Sequence, residues 1–239
     1  ARKDNESAFN YGMSHQVALS VAEQSIILAK NDRGILPLSS YQNCCIIGGL
    51  AKEARYQGGG SSEVNPQNLV SFLEAANVGG SAQGIPFAPG YCLHNGEDAD
   101  KLKIDAVDLA SAAKTVILVL GLPLKKESEG YDRNNMRLPE DQYQLFDAIY
   151  HVNQNIVLVL LCGAPVELPF FDQVKAALVA YLPGEAGGTA ISNILLGKAN
   201  PSGHFAESWP YHYTDVPSYE FYPGHGDVSL YKESIFVGY

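Results

Sequence analysis

Short, wholly apolar runs alternate along this chain with stretches whose apolar positions recur every three or four residues. Val116–Leu120 and Ile156–Leu161 are apolar at every position, the pattern of strands buried on both faces. Cys44–Gly49 reads as a shorter buried strand, Val174–Leu182 holds another, and Ile85–Pro89 is a short one. Helical spacing over residues 14–31 places Val17, Leu19, Val21, Ala22, Ile26, Ile27 and Leu28 on one broad face. Ser14 is its expected N-cap and Asp32-Arg33-Gly34 its end. Further helices are expected over Pro66–Ala76 with proline in the first turn, over Ala99–Ala113 and over Glu140–Asn153. A last helix spans Gly187–Leu196, with Gly197 as its stop.

Helices separating strands that are apolar on both faces predict an α/β fold. The expected form is a three-layer α/β/α sandwich around a mostly parallel sheet. No internal repeat is visible. Residues 1–239 are read as a single domain. After Trp209 the texture changes: residues 210–234 are rich in Tyr, Pro, Gly, Asp and Ser with little periodicity. The segment 210–239 is expected to wrap irregularly over the surface. It ends on the strand-like run Ile235-Phe236-Val237-Gly238-Tyr239, an apolar terminus that implies a chain running on.

Composition narrows the class. Apolar residues are 46% and charged residues 18% of the chain, which is globular and leaves enough apolar surface for a sizeable core. Net charge is -10, and the densest basic pair is Lys125-Lys126, which argues against nucleic-acid or anionic-membrane partners. No apolar run approaches the roughly 18–20 residues of a membrane span. The start, Ala1-Arg2-Lys3-Asp4-Asn5-Glu6, lacks the apolar stretch of a signal peptide. Cys44, Cys45 and Cys162 fall in or beside strand-like runs as buried thiols, and the spacing of the four cysteines, Cys92 included, fits no zinc pattern. A cytoplasmic location is the simplest expectation. The six histidines form no ligand pair, so neither metal nor cofactor is expected.

The candidate chemistry is concentrated in Glu127-Ser128-Glu129-Gly130-Tyr131-Asp132-Arg133, just past the carboxyl end of the 115–121 strand. In open α/β sheets ligands bind at that edge. Glycoside hydrolysis needs one carboxyl group to protonate the leaving oxygen and a second to act as nucleophile or base. Glu127 and Glu129 lie two residues apart, so both can point the same way, but two carboxylates on one loop are poorly placed to flank a sugar from opposite sides. The plainer reading is a solvated charged loop with an internal pair to Arg133. A second loop, Arg55-Tyr56-Gln57-Gly58-Gly59-Gly60-Ser61-Ser62, lets backbone approach a ligand closely. It is neither a Walker A nor a dinucleotide fingerprint, and the plainer reading is a flexible surface loop.

Several motifs then agree in order. Val21–Asn31 with Leu36-Pro37-Leu38, the Arg55–Ser62 loop with Asn65-Pro66, and Glu127–Arg133 with Leu138-Pro139 resemble segments of the C-terminal α/β-sandwich domain of glycoside hydrolase family three, the β-glucosidase/β-xylosidase family. Pro165–Pro169, Tyr181-Leu182-Pro183-Gly184, Gly197–Gly203 and Phe236–Tyr239 continue the resemblance. Ser234 and Glu207-Ser208-Trp209-Pro210 depart from it. The resemblance implies a retaining enzyme acting on a β-linked oligosaccharide or an aryl or alkyl β-glycoside. It implies a nucleophilic aspartate on an N-terminal (β/α)8 barrel and an acid/base glutamate in this domain. That glutamate is assigned to Glu127, with Glu129 the runner-up. Arg55, Gln57, Gly58, Gly59, Gly60, Ser61 and Ser62 are assigned to the sugar site or domain interface, and Asp132 and Arg133 to bracing the loop. Without the barrel the chain is expected to be inactive. The competing readings are a non-catalytic carbohydrate-binding or structural module, and an unrelated nucleotide-binding α/β domain.

Overall fold

The computed structural model describes residues 10–78, 84–224 and 226–238. The polar stretch Ala1–Glu6, His225 and the final Tyr239 lie outside them. In chain order the described elements are α1 (Tyr11–Ser25), β1 (Ile27–Asn31), β2 (Cys44–Ile47), α2 (Phe72–Asn77), β3 (Phe87–Ala88), α3 (Ala99–Ala112), β4 (Thr115–Gly121), α4 (Glu140–Val152), β5 (Ile156–Leu161), β6 (Ala176–Val179) and α5 (Gly187–Leu195), with short 3-10 turns between them. The strands form one sheet in the order β1-β6-β5-β4-β2-β3. All neighbours run parallel except β1, which lies antiparallel on β6. Helices α3 and α4 pack together, and α5 packs against α1 and α2. This is the expected sandwich. Every residue of β2, β4, β5 and β6 is buried, as continuous apolar runs require.

Three expectations are corrected. The helix read over 14–31 with Ser14 as N-cap instead begins at Tyr11, capped by Asn10, whose side chain accepts from Met13 N–H (3.0 Å), and stops at Ser25. Ile26 turns extended (ψ 136°), and Ile27–Asn31 pairs with β6, Ile27 opposite Val179 and Leu28 opposite Leu178. Consecutive β-branched residues suit a sheet edge better than a helix, and Ile26 and Ile27 bury there while Val17 and Val21 stay exposed on α1. The helix read over Pro66–Ala76 begins only at Phe72. Ser71 caps it: its hydroxyl accepts from Glu74 N–H (3.2 Å) while the Glu74 carboxylate accepts from Ser71 N–H (2.8 Å). The terminal strand-like run is instead a 3-10 turn, Ser234–Phe236, with Ile235 82% exposed, and Gly238 O accepts from Ser208 N–H (2.7 Å).

β4 outruns its neighbour. Its odd positions direct their amides toward β2, as Thr115 N–H to Asn43 O does, and its even positions toward β5, as Val116 N–H to Asn155 O does. β2 ends opposite Leu118, so among the described residues no strand continues beside Val119 and Gly121 on that side. Side chains take over. The buried Tyr91 hydroxyl donates to Val119 O (2.9 Å), and the fully buried Gln142 of α4 accepts from Gly121 N–H (3.0 Å) and donates to Gly121 O (2.8 Å). These bonds carry β4 outward as a fixed rail to the loop that follows it. Gln142→Leu strands both groups of Gly121 and is expected to destabilise the chain by about 2–4 kcal/mol, read by urea unfolding.

Candidate active site

The chain leaves β2 toward β3 on one side and leaves β4 toward β5 on the other. The carboxyl ends of these adjacent strands therefore flank a switch point, where diverging loops open a crevice. Four loops meet there. Gly58 and Gly59 come from the loop after β2, Glu127–Glu129 and Tyr131–Arg133 from the loop after β4, Gly163 and Ala164 from the turn after β5, and Leu182 from the loop after β6. Together they line an open depression of about 390 Å³. A larger depression of about 860 Å³ touches Asn43, Cys44 and Pro86 at the opposite end of the sheet, but its lining holds no carboxylate.

The two glutamates occupy unlike settings. The Glu127 side chain is only 16% exposed. Its carboxylate accepts from Gly163 N–H through both oxygens (2.9 and 2.8 Å), and Oε2 lies 3.4 Å from Arg55 Nη2. Arg55 is buried, and it also donates to Leu122 O (3.1 Å), Glu127 O (2.9 Å) and Gln57 O. Burial pushes its guanidinium below its ordinary pKa, and the Glu127 carboxylate opposes that push. Arg55 thereby pins the loop after β2 to the loop after β4, and Glu127 extends the pin to the turn after β5.

Glu129 is exposed. Its Oε2 accepts from Ser61 N–H (2.7 Å) and also from the Ser61 hydroxyl. These bonds favour the ionised form and hold the carboxyl below its ordinary pKa. Glu129 N–H reaches Gly59 O (3.4 Å). The glycine loop lies so close that a Cβ on Gly59 would meet Ser128 Oγ at 2.4 Å, and one on Gly60 (φ +84°) would meet Glu129 Cβ at 2.6 Å. The glycines are thus needed for the approach of one loop to the other.

The remaining residues assigned from sequence divide by location. Gly58 and Gly59 line the depression, as do Asp132 and Arg133. Arg133 donates to Pro165 O (3.1 Å) and Asn135 O (3.3 Å), and its salt-bridge role with a loop glutamate is taken by Arg55. Gln57 turns away from the depression to bond both backbone groups of Val64 (2.9 and 3.1 Å), and the Ser62 hydroxyl returns to Gly59 O (3.4 Å). Gly163 escaped the sequence reading: one glycine after an apolar run carries no signal of a carboxylate partner.

Residues 26–239 match the profile of the glycosyl hydrolase family 3 C-terminal domain. The chain belongs to that family. Among relatives of this family 3 domain, thermostable β-glucosidase B of Acetivibrio thermocellus is 40% identical over 238 residues, covering 99% of this chain and 32% of its own length. An exo-α-(1→6)-L-arabinopyranosidase of Bifidobacterium breve is 36% identical, covering 97% of this chain and 32% of its own length. A crystal structure of a family 3 β-glucosidase from Bifidobacterium adolescentis superposes with a TM-score of 0.90 at 36% identity, over 99% of this chain and 35% of that one. The family 3 domain thus spans about a third of the length of each of these relatives.

Proposed function

We propose that this domain supplies the general acid/base carboxyl of a retaining β-glycosidase of β-glucosidase type. We further propose that Glu129 is that carboxyl and Glu127 the group that locks its loop. The order of residues alone favours Glu127; the settings of the two side chains favour Glu129. The observation that carries the choice is that Glu127 spends both oxygens on Gly163 and Arg55 in a largely buried pair, whereas Glu129 is open to the depression with both of its Ser61 bonds on one oxygen. A proton donor must reach the glycosidic oxygen, and a carboxylate already engaged by a buried guanidinium and an N–H does not meet that need.

In the first step the protonated Glu129 gives its proton to the leaving oxygen as the C1–O bond breaks and its electron pair passes to that oxygen. The nucleophile forms the glycosyl-enzyme. In the second step the Glu129 carboxylate takes a proton from the water that attacks C1, and the bond from C1 to the nucleophile's oxygen breaks with its electron pair returning to that carboxylate. A retaining site needs its two carboxyl groups roughly 5 Å apart across the scissile bond. The family resemblance assigns the nucleophile to an aspartate of an N-terminal (β/α)8 barrel, and the threefold greater length of the relatives supports such a partner.

This 239-residue chain alone is expected to release no nitrophenol from 4-nitrophenyl β-glucoside, and the full-length protein is expected to be active. The names of the relatives make aryl β-D-glucosides and aryl α-L-arabinopyranosides the first substrates to compare. Turnover by the isolated chain that Glu129→Ala abolishes would overturn the shared-site reading.

A further inference from the structure

The loop after β2 contributes more to the depression than bare backbone. Ser61 sits in its 3-10 turn, Gly60–Ser62, and directs both its N–H and its hydroxyl at a single atom, Glu129 Oε2. Gly60 N–H is in turn held by Glu63 Oε1 (3.2 Å), which fixes the turn that aims Ser61. A carboxyl group whose one oxygen accepts two hydrogen bonds carries its proton on the other.

We infer that Ser61 is the positioning residue for the general acid: it holds Oε2 of Glu129 so that Oε1 carries and delivers the catalytic proton. This rests on Glu129 being the acid/base. Ser61 touches neither reacting atom; it acts through Glu129, and its hydroxyl also sets the acidity of that group. A carboxyl that serves as acid in one step and base in the next works best with a pKa near the working pH. Burial beneath a covering domain raises a carboxyl pKa, and two donated hydrogen bonds lower it. Ser61 supplies the lowering half of that balance.

The other titratable groups around the depression are Glu127, Tyr131, Asp132 and Arg133 on the loop of Glu129 itself. Arg55 and Glu63 come from the loop after β2. Gly163, Ala164 and Leu182 bring none. Arg55 is committed to Glu127 and Glu63 to Gly60, so Ser61 is the side chain that donates to Glu129.

The sign of the pH effect follows. The first step needs protonated Glu129, so kcat/KM falls as pH rises through its pKa. Removing the Ser61 hydroxyl raises that pKa and moves the fall to higher pH. In the full-length protein, Ser61→Ala is expected to move the alkaline limb of kcat/KM for an aryl β-glucoside upward by about one pH unit, the size set by one hydrogen bond to a charged group. Ser61→Thr, which keeps the hydroxyl, is expected to restore the limb. A merely structural serine would lower the whole profile without moving the limb. Glu129→Ala is assayed beside it with added azide. If azide rescues Glu129→Ala but the limb of Ser61→Ala stays in place, the role of Ser61 is overturned and the acid/base assignment stands. If azide rescues Glu127→Ala instead, the assignment fails and the inference with it.

Discussion

Glu129→Ala in the full-length protein is expected to lower kcat/KM for an alkyl β-glucoside by about 100- to 10,000-fold, the range that general acid catalysis contributes. For a dinitrophenyl glucoside kcat/KM should stay within about tenfold of the parent, because that leaving group departs without a proton. The second step still needs a base, so with the dinitrophenyl glucoside the glycosyl-enzyme accumulates and kcat falls, whereas with the alkyl glucoside the slowed first step itself limits kcat. Azide attacks the glycosyl-enzyme without losing a proton; it is expected to restore kcat for the dinitrophenyl glucoside, not for the alkyl one, and to yield the β-glycosyl azide. Glu127→Ala should behave otherwise. It removes the acceptor of Gly163 N–H and the buried partner of Arg55, so the two loops lose their pin. Activity then falls by a similar factor for alkyl and dinitrophenyl substrates, and azide does not help. A leaving-group dependence confined to Glu127→Ala would exchange the two roles.

The sandwich was legible because β4 and β5 are apolar at nearly every position and β-rich runs alternate with helical spacing. Such a pattern has few alternatives once both faces must be covered. The split of α1 from β1 was not, since Ile26, Ile27 and Leu28 continue a helical stripe as readily as they make an edge strand. Only the antiparallel seat on β6, far along the chain, decides between them. At the site, the loop after β2 and the loop after β4 were both singled out, and the fold brings them into contact. Which glutamate each loop engages was beyond sequence. Arg133 is near Glu127 in the chain and was the natural partner; Arg55, 72 residues away, is the partner in space. The division of labour between two carboxylates two residues apart depends on those long-range bonds.

Arg55 is the residue whose loss should be felt most by the fold of the site. Its guanidinium serves three backbone carbonyls, those of Leu122, Gln57 and Glu127, together with the Glu127 carboxylate, and its side chain is 5% exposed. Arg55→Ala leaves all of these acceptors at a buried place and leaves a carboxylate there without its counter-charge. Breaking a buried pair from one side typically costs about 3–5 kcal/mol. Glu127→Gln is a gentler change. Its amide oxygen still accepts from Gly163 N–H, and Arg55 keeps its three carbonyls. That variant is expected to lose only about 1–2 kcal/mol, the worth of a charge-assisted hydrogen bond reduced to a neutral one. Urea unfolding of both variants against the parent measures the difference directly. Equal losses would mean that the ion pair, and not the guanidinium's grip on the backbone, holds the loops together. A loss below about 1 kcal/mol for Arg55→Ala would mean that the loops are held by their glycine contacts alone. Because the Arg55 grip joins the loop carrying Ser61 to the loop carrying Glu129, Arg55→Ala in the full-length protein is also expected to abolish turnover of good and poor substrates alike.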